Sequence, residues 1–131
     1  MQWICKWCEK QNDPDKDKVQ CPCCLNDRSP IGVELVSDES GKEVQCRINT
    51  VFGTGSLTSL GDSGIKYVSR DQFRVEKKTD LSGWIVAGVT YAKNPTYLNG
   101  VPIPEGGELL KEGDKLSIKG KFLNLTVRYI Y

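Results

Sequence analysis

The segment Leu123-Asn124-Leu125-Thr126-Val127-Arg128-Tyr129 alternates apolar and polar side chains over its whole length. Because successive side chains of a β-strand point to opposite faces of a sheet, the segment predicts a strand with one buried and one solvated face. Residues 44–48, 72–76 and 115–119 repeat this alternation. Residues 84–89 are apolar on both faces, as expected for a central strand.

Turn-forming pairs separate the predicted strands, among them Asn99-Gly100, Gly106-Gly107 and Gly113-Asp114. Asn-Gly between apolar runs is the strongest short signal of a β-hairpin. No segment has the sustained apolar period of about 3.6 residues that marks a helix. Many short strands over about a hundred residues are typical of a β-sandwich, so we predict an all-β domain over residues 31–131.

Composition and charge narrow the class of protein. The chain has 131 residues, enough for one domain with a small appendage. Lysine and arginine total 18 against 17 aspartates and glutamates, so no global basic field favours nucleic acid. Histidine is absent, which removes the usual general base and proton shuttle, and we do not expect an enzyme. The chain lacks an apolar run of roughly 20 residues and the pattern of a secretory signal, so we expect a cytoplasmic protein.

Four cysteines of the polar N-terminal segment form two Cys-x2-Cys pairs, Cys5 with Cys8 and Cys21 with Cys24, separated by 12 residues. This spacing presents four sulfurs to one tetrahedral ion, and so short a segment normally needs a metal or disulfides to fold. We predict a zinc ribbon over residues 1–28 that holds a structural Zn(II). The alternative is a pair of disulfides, which is disfavoured because the inside of a cell keeps thiols reduced.

Two further cysteines stand apart from this spacing. Cys23 could replace Cys24 as the fourth ligand, although only Cys24 keeps the two-residue gap of the first pair. Cys46 lies on the apolar face of a predicted strand with Val44 and Ile48, which favours a place in the core over a metal site.

The ribbon residues Trp3, Cys5, Cys8, Asn12, Cys21 and Cys24 resemble the Ran-binding-protein class of zinc ribbons, whose members bind ubiquitin or single-stranded RNA. Residues 1–28 hold five basic and five acidic side chains, and four thiolates on zinc add about two negative charges, which disfavours RNA. The alternative function is still a nucleic-acid-binding regulator that acts through the ribbon, with a sandwich that has lost phosphate binding. A redox enzyme built on residues 21–24 would lack the βαβ context of such sites.

Two predicted loops carry groups suited to an anion. Ser69 and Arg70 stand just before a predicted strand, with Lys66 nearby, and Asn94 follows Lys93 in a later loop. A phosphoryl group has about two negative charges and three acceptor oxygens, which hydroxyl, guanidinium, ammonium and amide groups can bind. On their own these residues are only a weak indication of phosphate binding.

Five landmarks, in order and spacing, resemble the forkhead-associated (FHA) family over residues 31–131. They are a strand pair at residues 33–36 and 44–48, Phe52-Gly53-Thr54, Ser69-Arg70-Asp71-Gln72, residues 94–100, and Leu110-Lys111-Glu112-Gly113-Asp114. The resemblance implies an eleven-stranded β-sandwich that reads phosphothreonine from loops at one end.

The resemblance also implies a role for individual residues. Ser69 would bind the phosphate, Arg70 and Asn94 would hold the peptide backbone, and Tyr67 would face the residue three places after the phosphothreonine.

Two positions depart from the family pattern. Thr54 stands where the family has an arginine that grips phosphate, and Gln72 stands where it has a histidine with a mainly structural role. We keep Thr54 in the candidate site and expect Lys66 or Lys93 to supply the missing charge. An amide at position 72 can still bridge two backbone groups.

A cysteine ribbon fused to an FHA domain resembles the arrangement of archaeal signalling proteins that regulate the archaellum. This resemblance implies a part in Ser/Thr protein kinase signalling and repression of motility genes. It also implies a phosphorylated partner protein with a von Willebrand A-type domain.

Overall fold

The computed structural model describes residues 3–4, 11–12, 30–78, 83–89, 92–104 and 106–130. In the first two ranges, β1 (Trp3–Ile4) pairs with β2 (Gln11–Asn12) in antiparallel register. The predicted zinc ligands Cys5, Cys8, Cys21 and Cys24, and also Cys23, lie outside the described residues. None of the helices in the described ranges is long and apolar enough to cross a membrane.

From residue 30 onward, the described residues form ten strands in two antiparallel sheets, where the resemblance implies eleven. The strands are β3 (Gly32–Ser37), β4 (Glu43–Cys46), β5 (Thr50–Phe52), β6 (Phe73–Lys77), β7 (Trp84–Gly88), β8 (Thr96–Leu98), β9 (Val101–Pro102), β10 (Glu108–Leu109), β11 (Lys115–Ile118) and β12 (Phe122–Ile130). One sheet has the order β4-β3-β12-β11-β8-β9, and the other has the order β10-β7-β6-β5. The predicted all-β sandwich is confirmed.

Both sheets contribute to one hydrophobic core. Leu35 of β3 and Leu125 of β12 face inward from the six-stranded sheet, and Phe73 and Trp84 face inward from the four-stranded sheet. The rings of Phe52 and Phe73 stack with their centroids 5.5 Å apart. The alternation in residues 123–129 therefore predicts the buried face of β12 correctly.

Cys46 occupies the core, as predicted, with 5% of its surface exposed. Removal from water raises the pKa of its thiol to about 11, so the thiol stays protonated near neutral pH. The alternation of residues 44–48 also predicts that Ile48 is buried, and this prediction is wrong. β4 ends at Cys46, and Ile48 is 75% exposed because the backbone bends away from the ladder.

A helical connector, residues 54–67, runs from the end of β5 towards β6. It consists of α1 (Thr54–Leu57) and two 3-10 turns (Thr58–Leu60 and Ser63–Tyr67). Leu57 and Leu60 are fully buried and anchor the connector on the core. Elements of three to five residues are too short to show an apolar period, which is why the sequence does not predict them.

The predicted Asn99-Gly100 hairpin is confirmed. β8 and β9 pair around it, and the two residues have positive φ angles of 51° and 80°. These are the angles of a type I′ turn, whose twist matches that of the flanking strands. The Asn99 side chain also accepts a hydrogen bond of 2.9 Å from the Lys115 N–H, which fixes the hairpin against β11.

The connections between strands gather at two ends of the sandwich. The site pole comprises residues 53–54, 66–72, 93–95 and 119–121, because β5 ends, β6 and β8 begin, and β11 meets β12 there. At the opposite, N-terminal pole, the Trp84 indole N–H donates to the Pro30 carbonyl over 3.3 Å. The Ile31 N–H donates to the Ile130 carbonyl over 2.8 Å at the same pole.

A substitution at Gly53 tests how tightly the site pole is packed. A Cβ on Gly53 would lie 1.8 Å from the Arg70 carbonyl oxygen, so we expect Gly53→Ala to lower the free energy of unfolding by about 3 kcal/mol or more. Gly55→Ala is the matched control: a Cβ there meets nothing within 4 Å, and alanine favours the helical turn. Urea denaturation of both variants measures the difference, and similar midpoints for the two would contradict the packing described here.

Candidate functional site

A pocket of about 460 Å³ opens at the site pole between three connections. The helical connector with the residues that follow it forms one wall, the connection between β7 and β8 forms the second, and the turn between β11 and β12 forms the third. The lining residues are Lys66, Tyr67, Val68, Ser69, Lys93, Asn94 and Lys119. Four residues predicted to bind a phosphopeptide, namely Ser69, Asn94, Lys66 and Lys93, therefore lie in one pocket.

Gln72 joins two of these walls from below. Its side chain is fully buried, and its Oε1 accepts a hydrogen bond of 2.9 Å from the Ser69 N–H. Its Nε2 donates to the Asn94 carbonyl over 2.6 Å and to the Thr96 hydroxyl over 2.9 Å. The expectation that an amide at this position bridges two backbone groups is confirmed, and one side chain holds the Ser69 and Asn94 loops together.

Ser69 presents its hydroxyl towards the pocket. Its Oγ accepts a hydrogen bond of 2.8 Å from the Lys93 N–H, so the oxygen is held in place by a donor. A hydroxyl that accepts in this way keeps its own hydrogen for another acceptor. Within the described residues no protein acceptor takes that hydrogen, and Ser69 can donate it to a bound anion.

Asn94 is nearly buried at the base of the pocket. Its Nδ2 donates to the Tyr67 carbonyl over 2.8 Å, which ties the connection between β7 and β8 to the end of the helical connector. Together with the Gln72 bond to its carbonyl, this contact fixes both the backbone and the side chain of Asn94. The loop that bears Lys93 is therefore held rigidly at this point.

Thr54 and Arg70 do not line the pocket. The Thr54 N–H donates to the Ser69 carbonyl over 3.0 Å, and its hydroxyl donates to the Val68 carbonyl over 2.8 Å. Thr54 thus supports the loop that carries Ser69. Arg70 is exposed beside the pocket, and no described residue forms an ion pair with its guanidinium.

The Tyr67 ring forms one side of the pocket. Tyr67 stacks on Phe122, with ring centroids 3.7 Å apart, and the Lys66 Nζ lies 5.3 Å from the centroid of the Tyr67 ring. A lysine over an aromatic face is attracted by the ring quadrupole, which keeps this ammonium group near the pocket.

Lys119 is the site residue that sequence reasoning misses. Its N–H donates to the Pro95 carbonyl over 2.9 Å, which brings the turn between β11 and β12 against the Asn94 loop. The available signal is the Lys119-Gly120 pair between two alternating segments, which marks a turn that a sandwich places beside the other loops.

The electrostatics of the pocket favour an anion. Among the described residues, its lining carries three lysines and no carboxylate, although the chain as a whole has a formal net charge of only +1. Lysine ammonium groups are point charges with three donors each, and the Ser69 hydroxyl adds a directed donor. The arrangement can bind a group with several negatively charged oxygens.

Comparison with solved structures finds FHA domains. One comes from a structural and functional analysis of phosphothreonine-dependent FHA domain interactions; it is 24% identical, with a TM-score of 0.56 over 74% of this chain and 95% of that chain. The FhaA FHA domain, solved with the intracellular domain of Rv3910, is 24% identical, with a TM-score of 0.55 over 73% of this chain and 99% of that chain. An FHA domain of an Arabidopsis thaliana hypothetical protein is 20% identical, with a TM-score of 0.58 over 79% of this chain and 88% of that chain. No protein-family model and no curated protein matches the sequence.

The sandwich therefore has the fold of forkhead-associated domains, as the five sequence landmarks imply. The pocket lies between the loops that carry Ser69 and Asn94, at one end of the sandwich.

Removal of the Gln72 amide tests its place at the base of the site. Gln72→Leu keeps most of the volume but leaves the Ser69 N–H, the Asn94 carbonyl and the Thr96 hydroxyl without this partner. We expect the free energy of unfolding to fall by about 3 kcal/mol, because each buried unsatisfied group costs roughly 1 to 3 kcal/mol. Gln45→Leu is the control, since Gln45 is exposed and its side chain bonds the Glu34 carboxylate, and we expect a change within about 0.5 kcal/mol. Equal urea midpoints for the two variants would show that the Gln72 bonds contribute nothing.

Proposed function

We propose that this chain is a phosphothreonine-dependent protein-interaction module. The observation that carries the proposal is the Ser69 hydroxyl, held by the Lys93 N–H in a pocket whose described lining has three lysines and no carboxylate. A phosphothreonine side chain brings about two negative charges and three acceptor oxygens. The hydroxyl and the ammonium groups match that demand.

Lysines take the place of the arginine that the family pattern has at position 54. Lys66 and Lys93 both line the pocket, which supports the expectation that one or both replace its charge. An ammonium group binds phosphate as a point charge, without the bidentate geometry of a guanidinium. We therefore propose a site that depends on the sum of several charges more than on one directional contact.

Val68 and Tyr67 give the pocket an apolar side next to Ser69. Phosphothreonine differs from phosphoserine by one methyl group, and burying a methyl group contributes about 0.8 kcal/mol. A preference for threonine over serine follows if that methyl group contacts this side. Arg70 and Asn94 are proposed to hold the peptide backbone, and Tyr67 to face the residue three places after the phosphothreonine.

We propose a binding role and not a catalytic one. The Ser69 Oγ is bonded by the Lys93 N–H, which is a donor and cannot take a proton from the hydroxyl. The chain has no histidine, and the described lining of the pocket has no carboxylate that could act as a general base. The chemistry of the site therefore suits recognition of a phosphate and not attack on it.

The wider role is proposed from the sequence. Cys5, Cys8, Cys21 and Cys24 would hold structural Zn(II), and a ribbon followed by an FHA fold would place the protein in Ser/Thr protein kinase signalling. Its partner would be a phosphorylated protein with a von Willebrand A-type domain, and its output would be repression of archaellum gene expression. These proposals rest on the cysteine spacing and on the order of the two modules.

Peptide binding tests the proposed function directly. By calorimetry on the full chain, we expect binding of a phosphothreonine peptide library, weaker binding of the phosphoserine counterpart and none of the unphosphorylated peptides. Ser69→Ala should weaken binding about tenfold or more, because a hydrogen bond to a charged group contributes roughly 1.5 to 3 kcal/mol.

Ser59→Ala is the matched control for Ser69→Ala. Ser59 is exposed in the helical connector, and its hydroxyl reaches the Ser56 carbonyl at 3.5 Å. Binding that is equal for phosphorylated and unphosphorylated peptides, or that survives Ser69→Ala unchanged, would rule out the proposed site.

Metal analysis tests the zinc ribbon. We expect about one zinc per chain after purification without added metal, and loss of that zinc in Cys5→Ser, because a closed site of four cysteines needs every thiolate. Cys46→Ala serves as the control, since Cys46 lies in the core and should not affect the metal content. Mass spectrometry with inductively coupled plasma measures the zinc, and a chain without zinc whose cysteines form disulfides would favour the alternative.

A further inference from the structure

We infer that the partner bound by this pocket carries a second anionic group close to its phosphothreonine, and that Lys119 selects for it. The inference rests on the proposed function, because it names the class of peptide that the same site prefers. It concerns a residue that the sequence landmarks do not include.

Charge in the pocket exceeds the charge of one phosphothreonine. Lys66, Lys93 and Lys119 bring three positive charges to the lining, against about two negative charges on the phosphoryl group. None of these ammonium groups forms an ion pair with a carboxylate in the part of the chain that the structure describes. A peptide with phosphothreonine as its only anion would leave positive charge uncompensated, and a nearby carboxylate or second phosphate would neutralise it.

The three lysines belong to three different walls of the pocket. Lys93 is bonded directly to the Ser69 Oγ through its backbone N–H, and Lys66 is drawn to the ring of Tyr67, two residues before Ser69 in the connector wall. Lys119 belongs to the third wall, and its backbone is bonded to Pro95. Lys66 and Lys93 flank the Ser69 hydroxyl in the chain and in its hydrogen bond, so we assign them to the phosphate, and we assign Lys119 of the third wall to a neighbouring residue of the peptide.

The backbone at Lys119 supports a role for this side chain. Its φ angle is 55°, in the left-handed region that asparagine and glycine adopt far more readily than lysine. Gly120 follows with a φ of 75°, and a Cβ on it would lie 3.1 Å from the Tyr97 ring, so the turn has little freedom to relax. The turn therefore holds Lys119 in one backbone conformation, with its exposed side chain in the lining of the pocket.

A scan of peptides tests the inference on the full chain. The parent peptide has phosphothreonine between alanines, and one glutamate is placed in turn at each flanking position. A second series carries phosphoserine in place of glutamate and distinguishes a carboxylate from a second phosphate as the source of charge.

We expect glutamate at one position or two adjacent positions to tighten binding about two- to fivefold, and phosphoserine there to tighten it more. Salt should reduce the gain, because the screening length falls from about 10 Å at 0.1 M to about 3 Å at 1 M. Lys119→Gln should remove the gain, and it should weaken binding of the parent peptide much less than Ser69→Ala does. Lys121→Gln, an exposed lysine of the same turn that does not line the pocket, should keep both.

Two outcomes separate this inference from the proposed function. Tight binding of the parent peptide without any gain from flanking acids, or a gain that persists in Lys119→Gln, would overturn the inference and leave the module intact. Failure of every phosphothreonine peptide to bind would overturn both.

Discussion

The geometry of the site depends on a buried amide. Gln72 lies beneath the pocket and is fully buried. Its side chain forms hydrogen bonds with the Ser69 N–H, the Asn94 carbonyl and the Thr96 hydroxyl. Because Thr96 begins β8 in one sheet and Gln72 precedes β6 in the other, these bonds also join the two sheets at the site pole. A buried polar group without partners is costly, so the folded state strongly favours the arrangement in which Ser69 and Asn94 lie side by side. The packing of the two sheets and the positions of the two site loops are thus coupled through Gln72.

The anion site is a local property of a nearly neutral chain. Lys115 pairs with Asp38 and Arg74 pairs with Glu76 on other parts of the surface, so these cations are locally balanced. The lysines of the pocket have no such carboxylates around them in the described residues. Long-range attraction to any polyanion is accordingly weak, and recognition depends on contact at short range. A local site of this kind fits the proposed recognition of one phosphorylated segment.

Much of the fold can be predicted from the sequence, because the half-buried strands of a sandwich alternate apolar and polar residues. The Asn99-Gly100 hairpin is predicted because only a few residue types adopt its positive φ angles. The prediction that Ile48 is buried is wrong, because the alternation of side chains does not reveal where a strand leaves its β-ladder. The helical connector is too short for a period, and Lys119 reaches the site through a turn whose neighbours are set by the packing of sheets. The sequence landmarks predict Thr54 at the phosphate site, but its hydroxyl donates a hydrogen bond to the Val68 carbonyl instead. Only the three-dimensional structure reveals this contact.

The position of Pro30 has a consequence for how the molecule can be built into larger assemblies. Pro30 and Ile31 are fastened at the pole where β12 ends, whereas Phe122, where β12 begins, stacks on Tyr67 of the pocket. The nine residues of β12 span roughly 25 to 30 Å between these ends. Pro30 therefore lies at one pole of the sandwich, and the candidate pocket opens at the other. Attachment of the described sandwich through Pro30 would therefore place the linkage about the length of β12 away from the mouth of the pocket.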